Sequence, residues 1–533
     1  MIPFAAQVED ILFSLEHVAG VSRLPDWDAD LAREIIQHFA AFAEAEIAPL
    51  DEPGDAQGCR LEHGRVRMPD GFGAAYRAYA EQGWPGLGAP ADIGGQGMPA
   101  PVQGAVSEIF TGACHALQMV VGLVPGAIRT LLAHGTPDQQ ARYLGPLIDG
   151  SCLATMALTE PGAGSDLSGI RTRGTRADDG WRLSGEKIFI SGGDQDMSER
   201  ILHLVLARTD TAPGKGTRGL SLFLCPSHLP DGSRNSARAA RIEEKMGLHA
   251  SPTCQMVFDT AHAELIGAEG EGLKAMFTMM NHARMDVALQ GVAHAARAAQ
   301  IARAYAAERV QGRDAGGQPV TLDRHPDVAR MLREQQALAI GGRAMCHLAL
   351  VALEGVEAPG LIDFLTPICK VFCTEAGIRS ADLGIQVLGG YGYCREYRVE
   401  QTLRDARICA IYEGANGIHA LTLATRLLQQ RGGACADAFE ALIEAEAPAA
   451  AHLAEALALW RRTRARLVSD DHPAEAAHEF MRLAGLMLYQ AMWLRIETAS
   501  AHAPDPDHLR DLAAHVRRGA AADLRAIAVM LEG

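Results

Sequence analysis

Two spacings of apolar residues alternate along the chain, and the changes between them divide it. Between Asp30 and Ile47 the apolar positions Leu31, Ile35, Phe39 and Phe42 recur every three to four residues, which predicts an amphipathic helix. The same spacing returns from Ser107 to Leu132, where His134-Gly135-Thr136-Pro137 ends it. Thr136 is placed to cap a following helix, with Pro137 in its first turn. The intervening stretch Asp51 to Asp70 is rich in Gly, Pro and charge and reads as a loop; Gly83 to Pro99 is dense in helix breakers and reads as irregular. Near residue 151 the runs become short and the period drops. Cys152–Leu158, Ile201–Ala207, Leu220–Cys225 and Gln255–Phe258 are strand candidates, and Trp181–Gly185 with Glu186–Ser191 predicts a hairpin. Short strands at close spacing point to a small β-barrel or sandwich. Helical spacing resumes from Gly272 to Gln311, then from Asp323 to Leu353, Leu361 to Leu388 and Ile418 to Leu428. Arg431-Gly432-Gly433 marks a boundary, after which an alanine-rich amphipathic tail breaks near Asp470–Pro473 and Ala503–Pro506.

The expected class is therefore α+β and multidomain. It comprises an N-terminal helical domain (1–155), a central small β-barrel or sandwich (156–270), a C-terminal helical bundle (271–432) and an additional helical extension (433–533). A chain of 533 residues supports several domains with a large core. Its 48% hydrophobic and 21% charged residues are ordinary for a soluble protein. The net charge of −16 argues against nucleic acid as the main partner, while leaving room for a local basic pocket for a phosphorylated ligand. The 11 cysteines are scattered; Cys369 and Cys373 lie one helical turn apart with no second pair to complete a metal set. Buried, reduced thiols are the expectation, and these suit the cytoplasm. Met1–Asp10 shows neither a basic nor an apolar leader region, and no uninterrupted apolar run reaches the roughly 20 residues of a membrane span.

Four segments carry candidate chemistry. In Ile411-Tyr412-Glu413-Gly414-Ala415-Asn416-Gly417-Ile418 one carboxylate stands among apolar neighbours and glycines. Lost hydration disfavours its ionised form and raises its pKa toward neutral, as a general base requires. Gly414, lacking a Cβ, lets a ligand approach the backbone. The plainer alternative is a helix-entry turn, with Asn416 or Gly417 as cap and Glu413 complementing the dipole. Ala157 to Asp166 leaves a strand for a glycine-rich turn whose N–H groups and hydroxyls (Thr159, Ser165) can meet phosphate, carbonyl or ring-nitrogen acceptors, or is an ordinary Pro-Gly loop. Lys187 to Gly193 places Phe189 and Ser191 at alternate strand positions, suited to a flat heterocycle or to a core Phe beside a solvated Ser. Gln386 to Gly392 closes a helix with glycine.

Taken together these segments resemble the acyl-CoA dehydrogenase family. The likeness runs from about residue 30 to 430 and rests on ALTEPGAGSD at 157–166, GEKIFISGG at 185–193, KMGLHAS at 245–251 and LGGYGYCREYRVEQTLRDARICAIYEGANGI at 388–418. The N-terminal segment, FTMMN at 277–281 and the C-terminal block resemble an enlarged bacterial branch that includes 3-methylmercaptopropionyl-CoA dehydrogenase.

The resemblance implies FAD as cofactor. Met156, Leu158 and Thr159 match ring-binding positions, and Phe189, Ile190 and Ser191 match those flanking the ring, where the family often has Trp in place of Phe189. Arg309, Gln311, Gln386, Gly389 and Gly390 match positions for the pyrophosphate and adenosine end, largely supplied in the family by a neighbouring subunit. A homodimer or dimer of dimers is therefore expected. Ala415 and Gly417 stand where the family often has Thr and Gln touching FAD. Ser165, Arg284 and Gly414 match substrate-side positions, and Glu413 matches the catalytic base. Some members carry the base just before the helix arginine, here Ala283, which takes no proton. The implied reaction is loss of the pro-R α-hydrogen of an acyl-CoA as a proton, with hydride transfer from the β-carbon to flavin N5, giving a trans-2-enoyl-CoA. Electrons pass to an electron-transfer flavoprotein. An acyl-CoA oxidase using O2 and an inactive scaffold are the alternatives. Short, methylthio-bearing and medium acyl chains stay open.

Overall fold

The computed structural model describes residues 2–209 and 216–532. Strand-rich sequence gathers in one unit, residues 45–99 and 113–283, and helix-rich sequence in another, residues 1–44, 100–112 and 284–533.

In the strand-rich unit the 51–70 segment is ordered rather than a loop. It forms a helix, Asp51–Gln57, and a hairpin of β1 (Arg60–Glu62) and β2 (Arg65–Arg67). Pro53 lies in the first helical turn, where a missing N–H costs nothing, and His63 and Gly64 are both left-handed (φ 51° and 75°), which matches the twist of a two-residue hairpin loop. The barrel strands are β3 (Cys152–Ala157), β4 (Arg173–Ala177), β5 (Gly180–Ser191), β6 (Arg200–Thr209), β7 (Leu220–Pro226), β8 (Ala237–Ile242) and β9 (Thr253–Ile266). Pairings run β4–β5–β9–β7–β6 and return from β6 to β4, so the sheet closes; β3 adds in parallel to β6, and β8 pairs with β9. Alternate residues of these strands fill the interior, with Trp181 edge-on to Phe223 at 5.3 Å.

The expected hairpin at 181–191 is a single strand, β5, and the hairpin lies one step earlier, where β4 turns through Asp178-Asp179 into β5. Gly185 is a register shift, not a turn: a Cβ there would meet Thr172 Cα at 2.7 Å, so the glycine admits a close backbone crossing. The helix expected from Ser107 to Leu132 is broken twice: Ala100–Val121 is kinked at extended Cys114, and Val124–His134 starts afresh because Pro125 cannot continue the first. Thr136 caps Pro137–Ile148 in a reciprocal box with Gln139.

The helix-rich unit is built on Gly272–Glu308 (in part), Pro326–Leu353, Leu361–Leu388 and the four tail helices Ala434–Glu446, Ala451–Ser469, Ala477–Ala499 and Pro506–Glu532. Gly291 and Gly377 let the first and third of these touch backbone to backbone: a Cβ at Gly291 would lie 2.3 Å from Cys373 O, and one at Gly377 2.6 Å from Gly291 O. The tail shares one apolar core with Leu361–Leu388. Trp460 stacks on Phe480 at 4.2 Å and meets Phe364 and Phe439 edge-on at 5.9 and 5.2 Å. Helix Pro326–Leu353 has the length and composition of a membrane span, but 78% of its most apolar stretch is buried in the protein. It also carries Arg343, buried in an ion pair with Glu108 at 2.7 Å. All 11 cysteines are free thiols, most of them buried.

Candidate active site

Glu413 sits where the 3-10 turn Arg407–Ala410 hands over to helix Asn416–Thr422. Its φ is +52° and that of Gly414 is +95°, two successive left-handed residues. A non-glycine residue held there costs on the order of 1 kcal/mol or more and persists only where its surroundings over-determine it. Three side chains do so. Arg284 Nε (3.4 Å) and His419 Nε2 (3.1 Å) donate to Glu413 O, and Lys370 Nζ donates to Gly414 O (2.8 Å). The His419 bond requires the Nε2–H tautomer, and burial with nearby Arg284 and Lys370 pushes its pKa down to about 3, so the ring is neutral. Gly414 is obligatory, because a Cβ would lie 2.9 Å from His419 Nε2.

The Glu413 residue is half-buried, while its Oε2 is buried and has no hydrogen-bond partner among the described residues. Burial raises its pKa to about 7 against the pull of Arg284 and Lys370, with Asp286 adding to the rise. Of the helix-entry alternative, the capping is contradicted. Ala415, not Asn416 or Gly417, precedes the helix. Asn416 instead accepts from Lys370 (2.9 Å) and donates to Thr374 and Glu375 (3.2 Å each). Behind the turn, Tyr412 OH donates to Gln290 Oε1, Gln290 donates to Asp286 at 3.4 Å, and Ser107 donates to Asp286. This network fixes the carboxylate that faces Glu413 from the long helix.

In the strand-rich unit the turn after β3 is tied to β5. Ile188 N–H donates to Thr159 O (2.9 Å), and Lys187 Nζ donates to Leu158 O (2.8 Å) and Glu160 Oε1 (2.9 Å). Lys187 and Glu160 form a buried ion pair, 0% and 6% exposed. Burial alone would raise the Glu160 carboxyl, but Lys187 and the N–H groups of Arg171 and Thr172 hold it below the usual range. Burial lowers Lys187 to about 8, with Glu160 opposing. Beyond the pair, β5 bulges between Lys187 and Ile190, and Phe189 takes φ +60°. The bulge breaks the simple alternation expected of Phe189 and Ser191: the Phe189 ring is 61% exposed, Ser191 is half-buried, and Ile190 enters the barrel core at 2% exposure. Phe189 is thus no core residue, and only the backbone of Ile190 is left to face a ligand.

Comparison with known proteins decides what this arrangement belongs to. The N-terminal, middle and C-terminal domain models of acyl-CoA dehydrogenase match residues 30–151, 155–261 and 270–428. 3-Methylmercaptopropionyl-CoA dehydrogenase of Ruegeria pomeroyi is 42% identical over 466 residues, 83% of this chain and 79% of that protein. The chain belongs to the acyl-CoA dehydrogenase family. The broad-specificity linear acyl-CoA dehydrogenase FadE5 of Mycobacterium tuberculosis is 34% identical over 458 residues, 79% of this chain and 74% of that protein. A Bacillus anthracis acyl-CoA dehydrogenase structure complexed with FAD shares the fold with a TM-score of 0.78 at 21% identity, covering 98% of this chain and 92% of that one.

For an acyl-CoA dehydrogenase family member, the anticipated positions fall into three groups. Arg284, Glu413 and Gly414 meet in the helix-rich unit, with Ala415 half-buried and Gly417 exposed beside them. Arg309, Gln311, Gln386, Gly389 and Gly390 are all exposed in that unit. The Tyr305 ring, one turn before Arg309, lies 6.3 Å from that of Tyr391, which brings the 309 and 389–390 segments together. In the strand-rich unit Leu158 and Thr159 are tied to β5 through Lys187 and Ile188, just before Phe189, Ile190 and Ser191; Met156 lies on β3, and Ser165 is exposed on the turn. Sequence reasoning missed Glu160, Lys187, Lys370, Asn416 and His419 as parts of the two frameworks. One signal was available: Lys370 interrupts the apolar run Ile368–Phe372, and a lysine so placed is either buried with partners or breaks the pattern.

Proposed function

We propose that this protein is an FAD-dependent acyl-CoA dehydrogenase in which Glu413 removes the α-proton of an acyl-CoA thioester. The observation that carries the reading is the Glu413 carboxyl itself: one oxygen buried without a partner among the described residues, and poised at about 7 in a braced left-handed turn. A carboxyl of that pKa is part ionised at neutral pH, strong enough to take a proton and weak enough to be ready for one. The α-proton of a thioester is far less acidic than any carboxylic acid, so alignment and polarisation of the carbonyl have to supply the remainder, with the N–H of Glu413 as the assigned donor. Arg284, Gly414 and Ser165 are assigned to the acyl-CoA.

The residues present fit FAD. A phenylalanine 61% exposed at a strand bulge offers apolar surface that a flat ring covers, and Leu158 and Thr159 of the turn after β3 are tied to the same strand, with Met156 assigned to the ring beside them. Ile190 and Ser191 complete the ring contacts, the first through its backbone. Arg309, Gln311, Gln386, Gly389, Gly390, Ala415 and Gly417 are assigned to the rest of the cofactor. Bound FAD supplies the two-electron acceptor for the hydride that leaves the β-carbon. Re-oxidation is assigned to an electron-transfer flavoprotein, and the working assembly to a homodimer or dimer of dimers.

The relatives bracket the substrate: one is named for a short methylthio-bearing acyl group, the other for broad linear chains. Purified protein is expected to be yellow and to bleach anaerobically on addition of a short or medium linear acyl-CoA. A protein that binds no flavin, or whose flavin stays oxidised with the whole thioester panel, contradicts the reading. Peroxide formed in air at the turnover rate replaces the dehydrogenase with an oxidase.

A further inference from the structure

Helix Leu361–Leu388 carries Lys370 at 0% exposure, in a stretch where Phe364, Leu365, Ile368 and Cys369 are also buried. Its ammonium makes no ion pair within 4.0 Å among the described residues. Its acceptors are neutral: Gly414 O at 2.8 Å and Asn416 Oδ1 at 2.9 Å. A methionine would fill the same space without the desolvation cost of a charge, so packing does not account for it.

We infer that Lys370 is a positioning residue for proton abstraction: it clamps Gly414 O and Asn416 so that the base is held in its left-handed turn, and it supplies the positive charge that favours the Glu413 carboxylate. This rests on the reading of Glu413 as the base.

The clamp works from both sides of the base. Glu413 O is held by Arg284 and His419, Gly414 O by Lys370, and Asn416 links Lys370 onward to Thr374 and Glu375 on the same helix. With both carbonyls fixed, the two consecutive positive φ values have no freedom to relax. The groups facing Glu413 are known from each packed element. Arg284 and Asp286 come from the long helix; Lys370 comes from Leu361–Leu388 with exposed Glu375 beyond it. Cys409 and Tyr412 come from the preceding turn, and neutral His419 with Arg426 from the following helix. Among them Lys370 and Arg284 are the cations that oppose the burial-driven rise of the carboxyl. Conversely, ionised Glu413 eases the burial of the ammonium, so the pair is most favourable before the proton is taken.

The test uses the full-length, FAD-loaded protein and anaerobic stopped-flow bleaching with the acyl-CoA that best reduces the wild type, from about pH 5.5 to about pH 9. In Lys370→Met the limiting rate is expected to fall roughly 10- to 100-fold with little change in the thioester concentration at half-maximal rate, and the acidic limb to move up by about one pH unit. Asn416→Ala keeps the ammonium and loosens its anchor, so its rate falls while its limb stays in place. Should Lys370→Met fail to fold, Asn416→Ala decides alone, and a rate within about twofold of wild type overturns the inference. A Lys370→Met enzyme with an unmoved limb overturns it too, whatever its rate. Glu413→Gln separates the two claims. If that variant bleaches at the wild-type rate, the base assignment falls. If it is inactive while Lys370→Met matches wild type, only the role of Lys370 falls.

Discussion

At Glu413 the protein keeps a carboxyl whose folded pKa, about 7, lies above its ordinary value of 4.5, and that carries a cost to stability with a definite sign. Between those values the folded chain binds more protons than the unfolded one. Stability from this group is therefore full below about pH 4.5 and is lost as pH rises through about 7. Glu413→Gln never ionises. In ligand-free protein its unfolding free energy is expected to exceed that of the wild type at pH 8 by an amount on the order of 3 kcal/mol, shrinking toward nothing by about pH 5. Thermal melts across that range check it, and a constant difference contradicts it. The rise in pKa and its cause, lost hydration, were legible in the sequence, but the groups that oppose it were not. Ile411 and Ile418 are exposed, and the cations that oppose the rise, Arg284 and Lys370, stand 129 and 43 residues away in sequence. No local pattern brings such partners together.

Elements were legible where their own period declared them and illegible where a partner strand decided. The helices Leu361–Leu388 and Pro326–Leu353 and the strands β3, β6 and β7 follow from apolar spacing. Gly185 reads as a turn until β9 and Thr172 are beside it, and the bulge at Phe189 is an extra residue counted only against β9. The Lys187–Glu160 pair fastens that bulged strand to the glycine-rich turn. Removing one member of a buried pair strands the other. Lys187→Met is therefore expected to cost about 3–5 kcal/mol, and the double variant with Glu160→Leu to regain part of it. Chemical denaturation of wild type, single and double variants measures this; a single variant as stable as wild type contradicts it.

At the scale of the whole molecule, the change from helical to strand period and back foretold the class and a small barrel or sandwich, because burial imposes a different repeat on each; the strand pairings close it into a barrel. The tail's role was not legible, since an amphipathic helix states which face it buries but not against what. Its core turns out to be continuous with that of Leu361–Leu388, through Phe364, Phe439, Trp460 and Phe480. A chain ended at Gly433 exposes that surface, and is expected to lose cooperative unfolding and to aggregate. A soluble truncated chain with a single sharp transition contradicts this.

The most direct test of the central claim is the rate of anaerobic flavin bleaching by acyl-CoA in FAD-loaded Glu413→Gln against wild type at pH 8. A general base that acts on the reacting proton predicts a fall of roughly a thousandfold with flavin content unchanged. A variant that bleaches within about tenfold of wild type contradicts it.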